Sequence, residues 1–231
     1  MRIGIIGGTG PAGTALAARL ASIGYPVVIG SRSKYKAMEA RDEQIGRFPQ
    51  LSGLLDCGDN AMAAGCDVIV IATPWDSAAT TAQENAHLLK GKIVISMANA
   101  LVRVGGEFQP LLPPRGSVAA HVQAAVPDCR VVAAFHHLPA KELGHLGDPI
   151  DSDVLICGDD AEALSTVADI VAKIPGCRPL DAGELSNATA IEAFTAVLLQ
   201  LNVRYKTRVA PKLTGIRTPA SPPVVAETTS G

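Results

Sequence analysis

Apolar residues in this chain fall into short, nearly continuous runs, separated by stretches whose apolar positions recur every three or four residues. Residues 2–7 (RIGIIG), 26–30 (PVVIG), 67–73 (DVIVIAT), 92–96 (KIVIS) and 130–135 (RVVAAF) are runs of the first kind. Short Ile- and Val-rich runs predict strands buried on both faces. Between them, residues 14–22, 33–45, 59–65, 76–89 and 117–125 predict helices. Pro11 sits where the first helical position falls, and Gly24 stands just past the end of the same helix. A weaker strand is expected at 51–55. Two more, at 153–157 and 177–180, flank a helix at 161–173. Strands alternating with helices predict an α/β protein with a parallel, doubly wound sheet. Residues 97–116, with Gly105, Gly106, Pro110, Pro113 and Pro114, predict a long loop, and HHLPAKELGHLGDP after Phe135 predicts a second.

The final helix, at 186–202, is apolar on nearly every side (Ala190, Ile191, Phe194, Val197, Leu198, Leu201). Such a helix must be covered all round, and a second subunit is the expected cover. Residues 217–231 are rich in Pro, Ser and Thr and are expected to be disordered. The composition supports a real core: of 231 residues, 48% are hydrophobic and 18% charged, which excludes a mainly disordered chain. Aromatics make up only 3%, so Ala, Val, Ile and Leu must build that core. Twenty Lys and Arg against 22 Asp and Glu argue against a nucleic-acid partner. Five scattered cysteines without a CxxC pair predict neither a metal site nor a disulfide framework, and so a reducing cytoplasm. No apolar stretch reaches the roughly 20 residues of a membrane helix, and the N-terminal run is too short for a signal peptide.

The chemistry begins at Gly7-Gly8-Thr9-Gly10-Pro11-Ala12-Gly13. Gly8, Gly10 and Gly13 fit GxGxxG, and Gly7, Gly10 and Gly13 fit a version longer by one residue. Glycines let backbone approach a pyrophosphate and aim helix N–H groups at it. The motif follows a strand and opens a helix, the context a dinucleotide site requires. At the end of the second strand an NAD site normally carries Asp or Glu for the ribose hydroxyl. Here Ser31-Arg32-Ser33-Lys34 stands instead, followed by Lys36. A 2′-phosphate needs such a set: Arg32 for a bidentate contact, Ser31 and Thr9 as donors, and Lys36 or Lys34 as a point charge. The expected cofactor is therefore NADP.

GGTGPAG (7–13), IGSRS (29–33), ATPW (72–75), HHLPA (136–140), CGDD (157–160) and RPLDAGELSN (178–187) follow one another in an order that resembles the coenzyme F420-dependent NADP oxidoreductases, over about residues 1–216. The resemblance implies a Rossmann-type, mainly parallel sheet with a small helical C-terminal part. It implies reversible hydride transfer between reduced F420, a deazaflavin, and NADP, at C5 of one and C4 of the other. It also implies a homodimer with no membrane and no metal. By position, Thr9, Ser31, Arg32 and Lys36 match the 2′-phosphate site, and Thr73, Pro74 and Trp75 line the nicotinamide side. Ala98 and Pro139 fall in the stretches beside the second ring. His136 matches the family's histidine near the deazaflavin. His137 stands beside it, so either could be catalytic. The implied division is 1–183 for NADP, 184–216 for the F420 side and the dimer contact, and 217–231 as tail.

Hydride transfer between two bound rings needs positioning and exclusion of water more than acid–base groups. A donor such as His136 could balance charge on the deazaflavin's pyrimidine end. The F420 tail is an anionic phospholactyl-oligoglutamate, and Arg204, Lys206, Arg208, Lys212 and Arg217 form a segment of one sign that could grip it. Arg178 is a further basic candidate unless it pairs with Asp181. The competing readings are an NADPH-dependent reductase of a small imine or ketone and a non-catalytic NADPH sensor.

Overall fold

The structure, a computed structural model, describes residues 1–216. The tail expected at 217–231, with Arg217, lies outside the described residues. In chain order the elements are β1 (Ile3–Ile6), α1 (Pro11–Ser22), β2 (Val27–Ser31), α2 (Lys34–Arg47), β3 (Leu55–Asp59), α3 (Asn60–Ala64), β4 (Val68–Ile71), α4 (Trp75–Glu84), α5 (Ala86–Leu89), β5 (Ile93–Ser96), β6 (Leu101–Val104), β7 (Glu107–Pro110), α6 (Val118–Ala125), β8 (Arg130–Ala133), α7 (Ala140–Leu143), β9 (Ser152–Gly158), α8 (Ala161–Ala172), β10 (Cys177–Asp181) and α9 (Ala188–Tyr205).

The apolar runs pair into one sheet of eight strands in the order β10-β9-β8-β5-β4-β1-β2-β3. All neighbours are parallel except β8 and β9, which run antiparallel through Val132–Gly158 and Ala133–Cys157. The link from β8 to β9 holds only the one-turn α7 instead of a full crossover helix, and β9 enters reversed. The four residues of β1, β4 and β5 are all buried, as strands covered on both faces must be. One core layer joins the sheet to α1 and α8 and the other joins it to α4, α6 and the start of α9. Each fully buried Ile or Leu there contributes about 1.5–3 kcal/mol relative to exposure.

Several expectations change. The strand expected at 51–55 begins only at Leu55, because residues 49–51 close into a 3-10 turn. The long loop at 97–116 contains the β6–β7 hairpin, paired from Leu101–Pro110 to Val104–Glu107. Its turn is Gly105-Gly106, with Gly105 at φ +61°, a hairpin signal hidden by the prolines nearby. The C-terminal helix, expected to be covered all round, is buried on one side only: Ile191, Glu192, Thr195, Ala196 and Leu198 face inward. Phe194, Val197, Val203 and Tyr205 are exposed by 40–72%. Arg178 pairs with Asp153, not Asp181, through Nε at 2.8 Å and Nη2 at 2.7 Å. Asp153 is fully buried, and the contact also fixes the Leu213 backbone N–H on its carboxylate at 2.5 Å.

Buried Arg19 on α1 was not foreseen. Its guanidinium donates to the carbonyls of Glu142, Leu143, His145 and Asp148 at 2.7–3.2 Å. It thereby fastens the stretch after α7 along α1, and burial holds its pKa below the ordinary arginine value.

Candidate functional site

The glycine turn joins β1 to α1. Gly7 has φ +69°, and a Cβ there would lie 2.4 Å from Thr73 Cγ2. Gly13 is equally committed, since its Cβ would meet the Cα of Gly8 at 2.8 Å. A side chain on either would push the turn off the sheet. Gly10, by contrast, faces open space. As the residue capping α1 it offers no side-chain acceptor, and no acidic residue occupies the first helical turn. The leading N–H groups of a 12-residue helix are thus left for an anion. Gly8 N–H donates to Gly30 O at 2.9 Å and sets the turn against the end of β2.

A cavity of about 400 Å³ runs from this turn over the end of β2 and back to the end of β4. Gly7, Thr9, Ser31, Arg32, Lys36, Thr73 and Pro74, all expected from sequence, line it. Ser31 is buried and accepts the Ser33 N–H on Oγ at 3.2 Å, while Ser33 caps α2. The choice between the two lysines is made by Asp59: Lys34 lies 3.2 Å from its carboxylate. The Met62 backbone N–H, followed by Lys34, holds that carboxyl below the usual range. Among the described residues, Arg32 and Lys36 form no ion pair and stand exposed at the cavity mouth. Hydroxyls, a helix N-terminus and two unpaired cations suit a 2′-phosphate.

Ser33, from the same run, lines the cavity as well, whereas Asn60, Ser77 and Thr81, also in the lining, were missed by sequence reasoning. Asn60 Oδ1 accepts the Gly7 N–H at 3.2 Å and so holds the turn. Its distance in sequence from the glycine motif left no local signal.

Trp75, Ala98, Pro139, His136 and His137 are not among the residues lining this cavity. Trp75 is the first residue of α4 and is 36% exposed. Ala98 and Pro139 are half-buried in the loops that leave β5 and β8. Those two loops are tied together: Asn99 Nδ2 donates to His136 O at 2.7 Å. Thr195 of α9 reaches the same junction, with Oγ1 at 3.3 Å from Asn99 Oδ1. One helical turn earlier, Glu192 accepts the N–H groups of Val118 and Ala119 at 2.8 and 3.1 Å and anchors α9 on the start of α6. Burial lifts its carboxyl to about 7, against those two donors.

Both histidines are buried, with their rings edge to face at 5.3 Å. His137 Nε2 lies 2.9 Å from Asp153 O and 3.2 Å from the Leu155 N–H, so this ring fastens the loop to β9. Burial lowers its pKa to about 4. Burial and the neighbouring His137 lower His136 to about 3, so both rings are neutral near pH 7. The ring nitrogens of His136 make no hydrogen bond of good geometry, although the backbone of Ala134 and Ser96 stands close enough to oppose the lowering of its pKa, and Thr73 Oγ1 and Ser96 Oγ are buried and unpartnered. These groups lie at the end of β5 or just beyond β4 and β8. Buried polar groups are normally satisfied. Unmet capacity concentrated at the C-terminal ends of central strands marks the place where ligands bind in such sheets.

Residues 2–100 match the family described as NADP oxidoreductase, coenzyme F420-dependent. An F420-dependent NADP reductase of Methanocaldococcus jannaschii is 37% identical over 222 residues, covering 94% of this chain and 97% of that protein. The chain belongs to this family. A second F420-dependent NADP reductase, from Methanothermobacter thermautotrophicus, is 32% identical and covers 91% of this chain and 93% of its own length. A crystal structure from Arthrobacter sp. FB24, provisionally assigned as an F420-dependent NADP reductase, is 27% identical. It superposes with a TM-score of 0.74 over 91% of this chain and 100% of its own. Family membership therefore spans the glycine turn, the α2 cations, the two loops and α9 alike.

Proposed function

We propose that this protein catalyses reversible hydride transfer between reduced coenzyme F420 and NADP. The observation that carries the reading is that Thr73, which lines the cation-bearing cavity, also belongs to the buried, unpartnered polar groups at the ends of β4, β5 and β8. When bound, the two cofactors supply the chemistry, a hydride passing between C5 of the deazaflavin and C4 of the nicotinamide.

The chain's own groups bind, orient and exclude water. The uncapped N-terminus of α1 takes the pyrophosphate. Arg32, Lys36, Ser31 and Thr9 take the 2′-phosphate and set the preference for NADP over NAD. Thr73 and Pro74 bound the nicotinamide end. The Ala98 and Pro139 loops, pinned by Asn99 and Thr195, form the wall for the second ring, with Trp75 at its rim. His136, neutral and unpartnered, supplies a donor toward that ring, and His137 holds the loop on β9. Residues 1–183 form the NADP-binding part, and 184–216 add α9 to the F420 side and to the dimer contact.

We place the protein in the cytoplasm as a homodimer. The exposed side of α9, with Phe194, Val197 and Val203, supports a second copy as its cover. Among the described residues no helix is long and apolar enough to cross a membrane.

The test is the visible absorbance of oxidised F420 mixed with the protein and NADPH, with NADH as the control. Bleaching by NADPH, and far less by NADH, is expected. Binding of NADPH without bleaching would overturn the proposal in favour of an imine or ketone reductase or a sensor.

A further inference from the structure

Two kinds of contact hold α9 on the body of the protein. Ile191, Ala196 and Leu198 pack into the core. Apolar contacts of this kind have no direction and leave small rotations and slides of the helix open. Direction comes from hydrogen bonds. Glu192, 5% exposed, sets one carboxylate oxygen on the Val118 N–H at 2.8 Å and the other on the Ala119 N–H at 3.1 Å. Ser117 Oγ accepts the next N–H, from Ala120, at 3.0 Å, so the leading donors of α6 are all satisfied. On the same side of α9, one turn on, Thr195 Oγ1 lies 3.3 Å from Asn99 Oδ1 and 3.5 Å from His136 O. A movement of α9 that broke the grip of Glu192 would therefore carry Thr195 off the junction of the two loops that wall the second ring.

Among the described residues Glu192 forms no ion pair, so backbone N–H groups alone hold this buried carboxylate. Cys157 of β9 is close enough to feel it, and burial together with Glu192 pushes that thiol up to about 12, so it carries no charge. Asp159, just after β9, is engaged by the Leu185 N–H at 2.9 Å. His121 is the titratable residue of α6. On β7, which also packs on α9, Glu107 faces Arg204 at 3.8 Å, near the far end of the helix. A proton on Glu192 turns one oxygen from acceptor to donor. That oxygen then meets an N–H that is also a donor, and one of the two contacts is lost. Because burial raises this carboxyl to about 7, the loss occurs near neutrality. A buried charge without a cation costs stability; what it supplies here is a helix fixed in rotation and position.

We propose that Glu192 is a positioning residue for the deazaflavin ring: as a carboxylate it fixes α9 on α6 and, through Thr195, the loop that carries His136, and on protonation it releases one backbone donor and loosens that wall. The inference rests on the hydride-transfer reading. It makes the affinity for F420, and not that for NADPH, depend on the charge of a residue that touches neither cofactor.

The experiment measures Kd for F420 from its own fluorescence, and Kd for NADPH separately, in a pH series at constant ionic strength. Wild-type protein should bind F420 about five-fold more weakly at about pH 6 than at about pH 8, either side of the Glu192 midpoint, the ordinary scale of coupling between neighbouring sites. Glu192→Gln, with one acceptor oxygen in place of two, should bind at the weak level throughout. The ratio of the two Kd values cancels ionisation of the cofactor itself, and it should grow as pH rises through about 7. Val118→Pro deletes the N–H facing Oε2 from the other side, at the first position of α6, where proline is tolerated. It should flatten the pH dependence in the same way, and its effect should not add to that of Glu192→Gln. Kd for NADPH should stay within about two-fold in both variants. A ratio that does not change with pH, a pH dependence that survives Val118→Pro, or an equal loss of NADPH affinity overturns the proposal. Failure of the wild type to bind F420 at any pH would instead overturn the hydride-transfer reading.

Discussion

Arg32→Ala isolates the basis of cofactor choice. Arg32 is exposed and makes no hydrogen bond or ion pair among the described residues, so its removal should leave the fold intact. Its value lies in a charge-assisted contact to the 2′-phosphate, worth about 1.5–3 kcal/mol. That corresponds to a rise of about 10- to 150-fold in KM for NADPH. No neighbour replaces it, because Lys34 is held by Asp59 at 3.2 Å. Lys36 remains, but as an exposed point charge it contributes about 1 kcal/mol or less, so Lys36→Ala should raise KM no more than about five-fold. NADH lacks the phosphate, and its KM should change less than about two-fold. The assay follows bleaching of oxidised F420 with each nicotinamide, with a thermal melt to confirm folding. Equal losses for NADPH and NADH would refute the assignment. A larger effect from Lys34→Ala than from Lys36→Ala would refute the division of labour between the lysines.

Four further outcomes follow. Gly7→Ala places a Cβ against Thr73 at φ +69° and should cost about 1–3 kcal/mol, read as a lower urea midpoint with loss of NADPH binding. His136→Ala should slow turnover while leaving NADPH affinity within about two-fold; unchanged turnover would assign the ring to structure alone. Glu192 has a folded-state pKa raised from 4.5 to about 7. Between those values the unfolded chain is ionised there and the folded one protonated. Wild type should therefore lose stability relative to Glu192→Gln by about 1.4 kcal/mol per pH unit from 4.5 to 7, then level off. Urea midpoints that differ by a constant across that window would contradict the shift. Val197→Glu, on the exposed side of α9, should convert a dimer to monomer in light scattering, whereas an unchanged mass would remove this face from the interface.

Much of this protein is legible from its sequence, and the reason is locality. Strands β1, β2, β4 and β5 are continuous Ile and Val runs buried on both faces, a pattern no exposed segment can carry. The glycine turn and Ser31-Arg32-Ser33 are read as easily, because a turn, a helix cap and a cluster of hydroxyls and cations are made by neighbours in sequence. What lay beyond reach was pairing across distance. Whether Lys34 or Lys36 is unpaired depends on Asp59, in the next strand of the sheet. Arg178 met buried Asp153, not nearby Asp181, because β9 and β10 align in register. Asn60 of α3 reaches Gly7, and Asn99 and Thr195 of α9 hold His136, only once the sheet brings these segments together at the C-terminal ends of its strands. Arg19 and Gln44 read as ordinary helix polar residues until the fold buries them. Residue type and spacing determined the nucleotide turn and its phosphate preference; the fold alone decided which charges are consumed within the chain and which are left for a ligand, because desolvation and pairing depend on three-dimensional neighbours.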